Sequence, residues 1–182
     1  MIIRKPNSGN VIAVCAPTGP HVEHDGLRAV APSLTERQIM TRKTLADIAD
    51  EMAGIDIAIL STHTDNGEIA NRPMSNNGDV TYDGTSYYFT YEQTRAVADI
   101  QRNPKVALGF SSEGGIFSDG IYVAVEGTAE LIRDKAAFQQ HWTSDLDNWF
   151  EKGVDTPGIV LIKVKASRAT YWKGREEGEV VL

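Results

Sequence analysis

The sequence predicts a mostly β, α+β domain, an antiparallel sheet with a few short flanking helices. Three observations carry that prediction. Apolar and β-branched runs of strand length recur six times, over residues 55–64, 68–77, 86–90, 105–111, 121–132 and 159–172. Asp65-Asn66-Gly67 and Asp83-Gly84 separate the first three runs with residues that tolerate positive φ, the chemistry of tight antiparallel connections. The helical stretches between runs are short and amphipathic, each able to cover one patch of a sheet.

Taken in order, residues 1–33 are rich in Pro, Gly and polar side chains and read as an N-terminal extension, with a short strand over 11–15. The apolar patch NVIAVCAP in it is too short for a signal peptide. Residues 34–182 form the domain proper. A helix opens near Ser33, with capping boxes offered by Ser33 and Glu36 and by Thr44 and Asp47. Leu45, Ile48, Ala49 and Met52 put its apolar face on the core, and Gly54 ends it. The second strand carries Ile69, Asn71, Arg72 and Met74. Pro73 within it cannot donate to a ladder, which predicts an edge or a bulge. The third strand, with Tyr87, Tyr88 and Phe89, is aromatic, and these rings read as packing residues. A short helix over 94–101 presents Ala96, Val97 and Ile100 inward and stops at Asn103-Pro104. The glycines of the loop over 112–120 serve turns, because a phosphate loop's lysine and its strand-to-helix setting are missing. Asp134 caps a helix over 135–142, and a further helical turn follows over 145–150. Trp142 and Trp149, seven apart, predict a shared buried stripe. Val160, Ile162 and Val164 alternate along the last strand; the tail after Gly174 is short and charged.

At 182 residues the chain is one domain with room for a real core. Apolar residues at 41% and charged ones at 24% describe an ordinary globular protein, not a disordered one. A net charge of −7 argues against nucleic-acid binding, which needs a basic face. The single cysteine, Cys15, allows no intrachain disulfide and suits a reducing cytoplasm. No apolar run reaches membrane-spanning length. His21 and His24 pair, but His63 and His141 bear no spacing relation to them, so no metal is expected. No nucleophile motif stands out, and Asp145 with Asp147 reads as a surface pair, so no catalytic residue is assigned.

What the sequence offers is an anion cradle. Arg72 and Arg95 are flanked by Ser75, Asn76, Asn77, Thr90 and Thr94, and Arg95 stands where the third strand runs into a helix. Arginine presents a planar fork of donors, and hydroxyls and backbone amides at a helix start supply the rest.

The ordered set AILSTHT, NRPM, YYFT, TRAVADIQRNPKVALGF, YVAVEGTAEL and VLIKVKASRATYW resembles the pyridoxamine 5′-phosphate oxidase-like family over residues 35 to 173, and the Arg72-Pro73-Met74 triplet points to its general stress protein branch. The resemblance implies a six-stranded antiparallel Greek-key split barrel that binds flavin mononucleotide (FMN), with the dinucleotide FAD as the alternative, at the interface of a homodimer. It implies that Arg72 and Arg95 hold the phosphate with Thr90 and Thr94 as hydroxyl partners. The junction residue is often lysine in the family, so Arg95 is a departure that keeps the charge. Residues from Arg72 through Pro73, Met74, Ser75 and Asn76 to Asn77, with Phe89-Thr90, would border the ribityl chain and ring. Tyr122 matches a strand position facing the isoalloxazine, Trp149 a position near the interface, and Trp172 the tryptophan that reaches the partner's flavin. The implied activity is flavin-dependent redox chemistry with a small-molecule partner; the alternatives are a non-catalytic flavin sensor or buffer, or a deazaflavin-dependent reductase. True pyridoxamine phosphate oxidases carry a basic segment with a histidine after that tryptophan. Here KGREEGEVVL follows, so that activity is not expected.

Overall fold

The computed structural model describes residues 43–76, 81–114 and 119–182. The expected extension over 1–33, its strand, the Ser33 capping box, Cys15, the His21–His24 pair and Asn77 lie outside the described residues.

The elements run α1 (Leu45–Met52), β1 (Ile57–His63), β2 (Ile69–Ser75), β3 (Thr85–Tyr91), α2 (Arg95–Arg102), β4 (Lys105–Ser111), β5 (Ile121–Ile132), α3 (Lys135–His141), two 3-10 turns (Ser144–Asn148 and Gly153–Asp155), β6 (Ile159–Lys173) and β7 (Glu176–Val181). The strands form one antiparallel sheet in the order β2-β1-β4-β5-β6-β3, with β7 also on β6. β6 is the spine. Its first half pairs with β3, from Ile159 opposite Tyr91 to Lys165 opposite Thr85. Its second half pairs with β7, from Arg168 opposite Val181 to Lys173 opposite Glu176. β2 pairs only with β1, so Pro73 sits on an edge strand as its chemistry requires.

Thr44 and Asp47 form the expected capping box: Thr44 N–H donates to Asp47 Oδ2 at 2.6 Å and Asp47 N–H to Thr44 Oγ1 at 3.2 Å. Alternation along β1, β4, β5 and β6 sends Leu60, Leu108, Val125 and Tyr171 to one buried face, where α1 adds Ile48 and Met52. A second cluster, Phe138, Phe150, Ile159 and Leu161 with Phe89 and Trp142 against it, lies between α3 and the β3–β6 ladder.

The structure corrects the expected architecture in two places. The sheet has seven strands among the described residues, not six, because the charged tail is β7. Its glutamates find cations as they pair: Arg168 Nη1 donates to Glu179 Oε2 at 2.6 Å, and Lys43 lies 3.8 Å from Glu176. Gly178 lets β7 close over β6, since a Cβ there would stand 2.6 Å from the Tyr171 hydroxyl. Trp142 and Trp149, in turn, share no buried stripe. Trp142 packs beside Phe89 and Phe150, while Trp149 is 71% exposed. Trp142 ends α3, and the turn after it is 3-10, with three residues per turn, so a seven-residue spacing does not keep one face.

Between Glu126 and Gly127 the β5–β6 register shifts by one residue. A Cβ on Gly127 would lie 2.5 Å from the Lys165 carbonyl oxygen, which is backbone and cannot rotate away. Gly127→Ala is therefore expected to destabilise the domain by about 1–3 kcal/mol through overpacking, read as a lower urea midpoint at unchanged slope.

Candidate functional site

The site grows from a carboxylate on the wrong side of a helix. α2 buries Ala96, Val97 and Ile100, and between them Asp99, which is fully buried. A buried carboxylate needs donors, and three converge on it. The Thr62 hydroxyl donates to Asp99 Oδ2 at 2.8 Å, Arg102 Nη2 donates to Oδ1 at 2.7 Å, and Arg72 Nη2 approaches Oδ2 at 3.4 Å. Arg72 Nη2 also donates to Thr62 Oγ1 at 2.8 Å, so the threonine relays between guanidinium and carboxylate. Two guanidiniums share one carboxylate, which leaves one positive charge in excess at this end of the sheet.

Arg95 lies four residues before Asp99, one turn up the same helix. Its side chain is 63% exposed, with Asp65 of the β1–β2 turn 4.0 Å away. Thr90 Oγ1 and Thr94 Oγ1 are 3.4 Å apart. Thr94 is the N-cap of α2 but its hydroxyl donates instead to the Tyr91 carbonyl at 2.9 Å, so no side chain accepts from the helix's first-turn amides. Arg72 Nη1 is buried with no hydrogen-bond partner among the described residues. Unmet buried donors are costly and call for an acceptor. Spare guanidinium donors, uncapped amides and two hydroxyls together fit a phosphate monoester.

The other candidates divide into two groups. Met74 faces inward and packs on the main core, while Pro73 and Ser75 alternate to the outside. Asn76 is committed to holding the hairpin, its Nδ2 donating to the Ile55 carbonyl at 2.8 Å and its N–H to that of Asp56 at 2.7 Å. Phe89 meets Trp142 edge to face at 5.0 Å between centroids, a packing contact. Tyr122 and Trp172 are cross-strand partners on the outer face of the sheet, opposite in pleat to Arg72. Within one chain the fold thus assembles Arg72, Thr90, Thr94 and Arg95 around α2, and holds Tyr122 and Trp172 elsewhere.

Sequence reasoning missed Asp99, Thr62 and Arg102. A signal existed: an aspartate on the apolar face of a short amphipathic helix must find a cation, and Arg102 three residues on is one. Among the described residues no group of three or more His, Cys, Asp or Glu is arranged to hold a metal ion, and no helix is long and apolar enough to cross a membrane.

Comparison with known proteins agrees with this architecture. General stress protein 26 of Bacillus subtilis (strain 168) is 32% identical over 104 residues, covering 56% of this chain and 71% of that one. The crystal structure of a protein related to general stress protein 26 from Clostridium acetobutylicum superposes with a TM-score of 0.65 at 20% identity, over 76% of this chain and 94% of that one. The general stress FMN/FAD binding protein from Xanthomonas citri gives a TM-score of 0.60 at 20% identity, over 72% and 89%. These structures share the split-barrel fold. The family model described as "Pyridoxamine 5'-phosphate oxidase like" matches residues 43–182, and the chain belongs to that family.

Proposed function

We propose that the protein binds FMN, with FAD as the alternative, and works as a flavin-dependent oxidoreductase in the cytoplasm. One observation carries the reading: the guanidinium of Arg72, held against α2 by Thr62 and Asp99, has a buried nitrogen without a partner among the described residues, and the start of the same helix is uncapped. Arg72, Arg95, Thr94 and the first amides of α2 would hold the phosphate, and Thr90 would add a hydroxyl. A bound flavin supplies hydride and single-electron transfer that no side chain can. The chain's own contribution is to bind, to orient and to exclude water.

A homodimer belongs to the same proposal. The outer face of β2, β1, β4 and β5 exposes Ile57, Ile59 and Tyr122. In its middle, a Cβ at Gly109 would meet only Ile59 Cβ, at 3.9 Å, so nothing among the described residues excludes a side chain there. A close approach from a second copy would. Tyr122 and Trp172 lie on this face, where they would reach the partner's flavin.

The purified full-length chain is expected to be yellow or to become so with FMN, and to sediment as a dimer. NADH or NADPH should bleach it and air restore it. Binding without bleaching would favour the sensor or buffer, and the extracted cofactor's mass would reveal a deazaflavin. Failure to bind FMN or FAD overturns the reading. Pyridoxamine 5′-phosphate is not expected to turn over, since Lys173 is engaged by Glu51 at 2.6 and 2.7 Å and the remaining tail is β7.

A further inference from the structure

The two arginines of the cradle are held in opposite ways. Arg72 is fixed from inside: Asp99 and Thr62, both buried, take its Nη2 at 3.4 and 2.8 Å. Arg95 is held from outside. Among the described residues its only ion-pair partner is Asp65, at 4.0 Å, and the two side chains are 63% and 61% exposed. That distance is too long for a hydrogen bond. Such a contact is weak and exchangeable, because water screens both charges and the side chains give up rotamer freedom to make it. A phosphate oxygen offers the guanidinium shorter, charge-assisted bonds.

The carboxylate is the partner that stays put. Asp65 belongs to the turn between β1 and β2, and that turn is closed on itself. Thr64 N–H donates to the Glu68 carbonyl at 2.8 Å, Gly67 N–H to the Thr64 carbonyl at 3.1 Å, and Glu68 N–H to Thr64 Oγ1 at 3.2 Å. Thr64 itself is buried. Arg95, by contrast, reaches its partner on a long stem rich in rotamers. It is the first residue of α2, whose first-turn amides no side chain caps. Asp65 therefore sets a negative charge beside the residue that opens the helix, the end where a helix favours one. The same hairpin carries Arg72 on β2, so it brings one donor of the cradle and a rival for the other.

We propose that Asp65 is a built-in competitor of the phosphate, which parks Arg95 until a phosphate takes it. The inference rests on the cradle reading above and adds a residue that sets the cradle's affinity. Asp65 lowers that affinity in two ways. Binding must break its pair with Arg95, and its carboxylate then faces a ligand of like charge.

The full-length chain is titrated with FMN and with riboflavin, which has the same ring and no phosphate, and flavin fluorescence is read at low salt. Asp65→Asn removes the charge and keeps a residue suited to the turn. It should raise FMN affinity about threefold, the scale of an exposed ion pair, and leave riboflavin binding unchanged. A damaged fold does not produce a gain of this kind. High salt should erase the gain. In an Arg95→Ala background the same change should give less than about half of it, because no guanidinium is there to release. A wild-type chain that binds FMN no more tightly than riboflavin overturns the cradle reading and this proposal together. Where FMN is preferred, three results overturn the proposal alone: equal FMN affinity in the wild type and Asp65→Asn, weaker FMN binding by Asp65→Asn, or the full gain in the Arg95→Ala background.

Discussion

Arg72→Ala is expected to weaken FMN binding by about ten- to a hundredfold, the largest loss any single contact of the site should show. The change deletes one charge-assisted contact to the phosphate, worth roughly 1.5–3 kcal/mol, and 1.4 kcal/mol is tenfold in affinity. Arg72→Lys separates charge from geometry. Lysine keeps the charge but has no planar fork, so it cannot hold Thr62 with one nitrogen and offer another to a ligand. Its affinity should fall between those of the wild type and the alanine variant. Quenching of flavin fluorescence on titration measures all three. Wild-type affinity in Arg72→Ala would remove the phosphate from this end of the sheet.

Asp99→Ala should produce the largest loss of stability, about 3 kcal/mol. It strips the shared acceptor from Thr62, Arg72 and Arg102 at once. Removing one partner of a buried ion pair commonly costs about 3–5 kcal/mol, and the lower end applies because half-exposed Arg102 can turn to water. Asp99→Asn keeps an acceptor for Thr62 while losing the charge, so about half that loss is expected. Urea unfolding decides the matter, and wild-type midpoints for both variants would mean that Asp99 anchors nothing. Flavin affinity should fall in Asp99→Ala as well, because an unanchored Arg72 samples many rotamers and must be ordered on binding.

The two variants also show where the sequence could be read and where it could not. β1, β2 and their hairpin were legible because Asp65-Asn66-Gly67 and Pro73 constrain the backbone locally. Arg72 and Arg95 stood out in the sequence because each lies near threonines, and the structure sets each of them against a carboxylate, Asp99 and Asp65. Asp99 was not, since its meaning depends on Arg72, which comes from another element 27 residues earlier. β7 was hidden by its glutamates, which look like solvated tail until Arg168 and Lys43 are set beside them. Trp149 was misplaced because helical periodicity was carried past the end of α3. The separation of Tyr122 and Trp172 from Arg72 depends on which pleat each strand turns to the core, and long-range pairing sets that.

The division of the β6 edge between β3 and β7 has a consequence for how the chain is made. β3 is complete at Tyr91, but the residue that pairs with it, Ile159, is synthesised only after the intervening segment. At ordinary elongation rates those roughly 70 residues take about 3–14 s. During that interval TSYYFTY has no ladder partner, no charge and no proline. Such a segment is a template for pairing with other chains. In the nascent chain both edges of β3 are therefore open, and pairing with β6 later covers one of them.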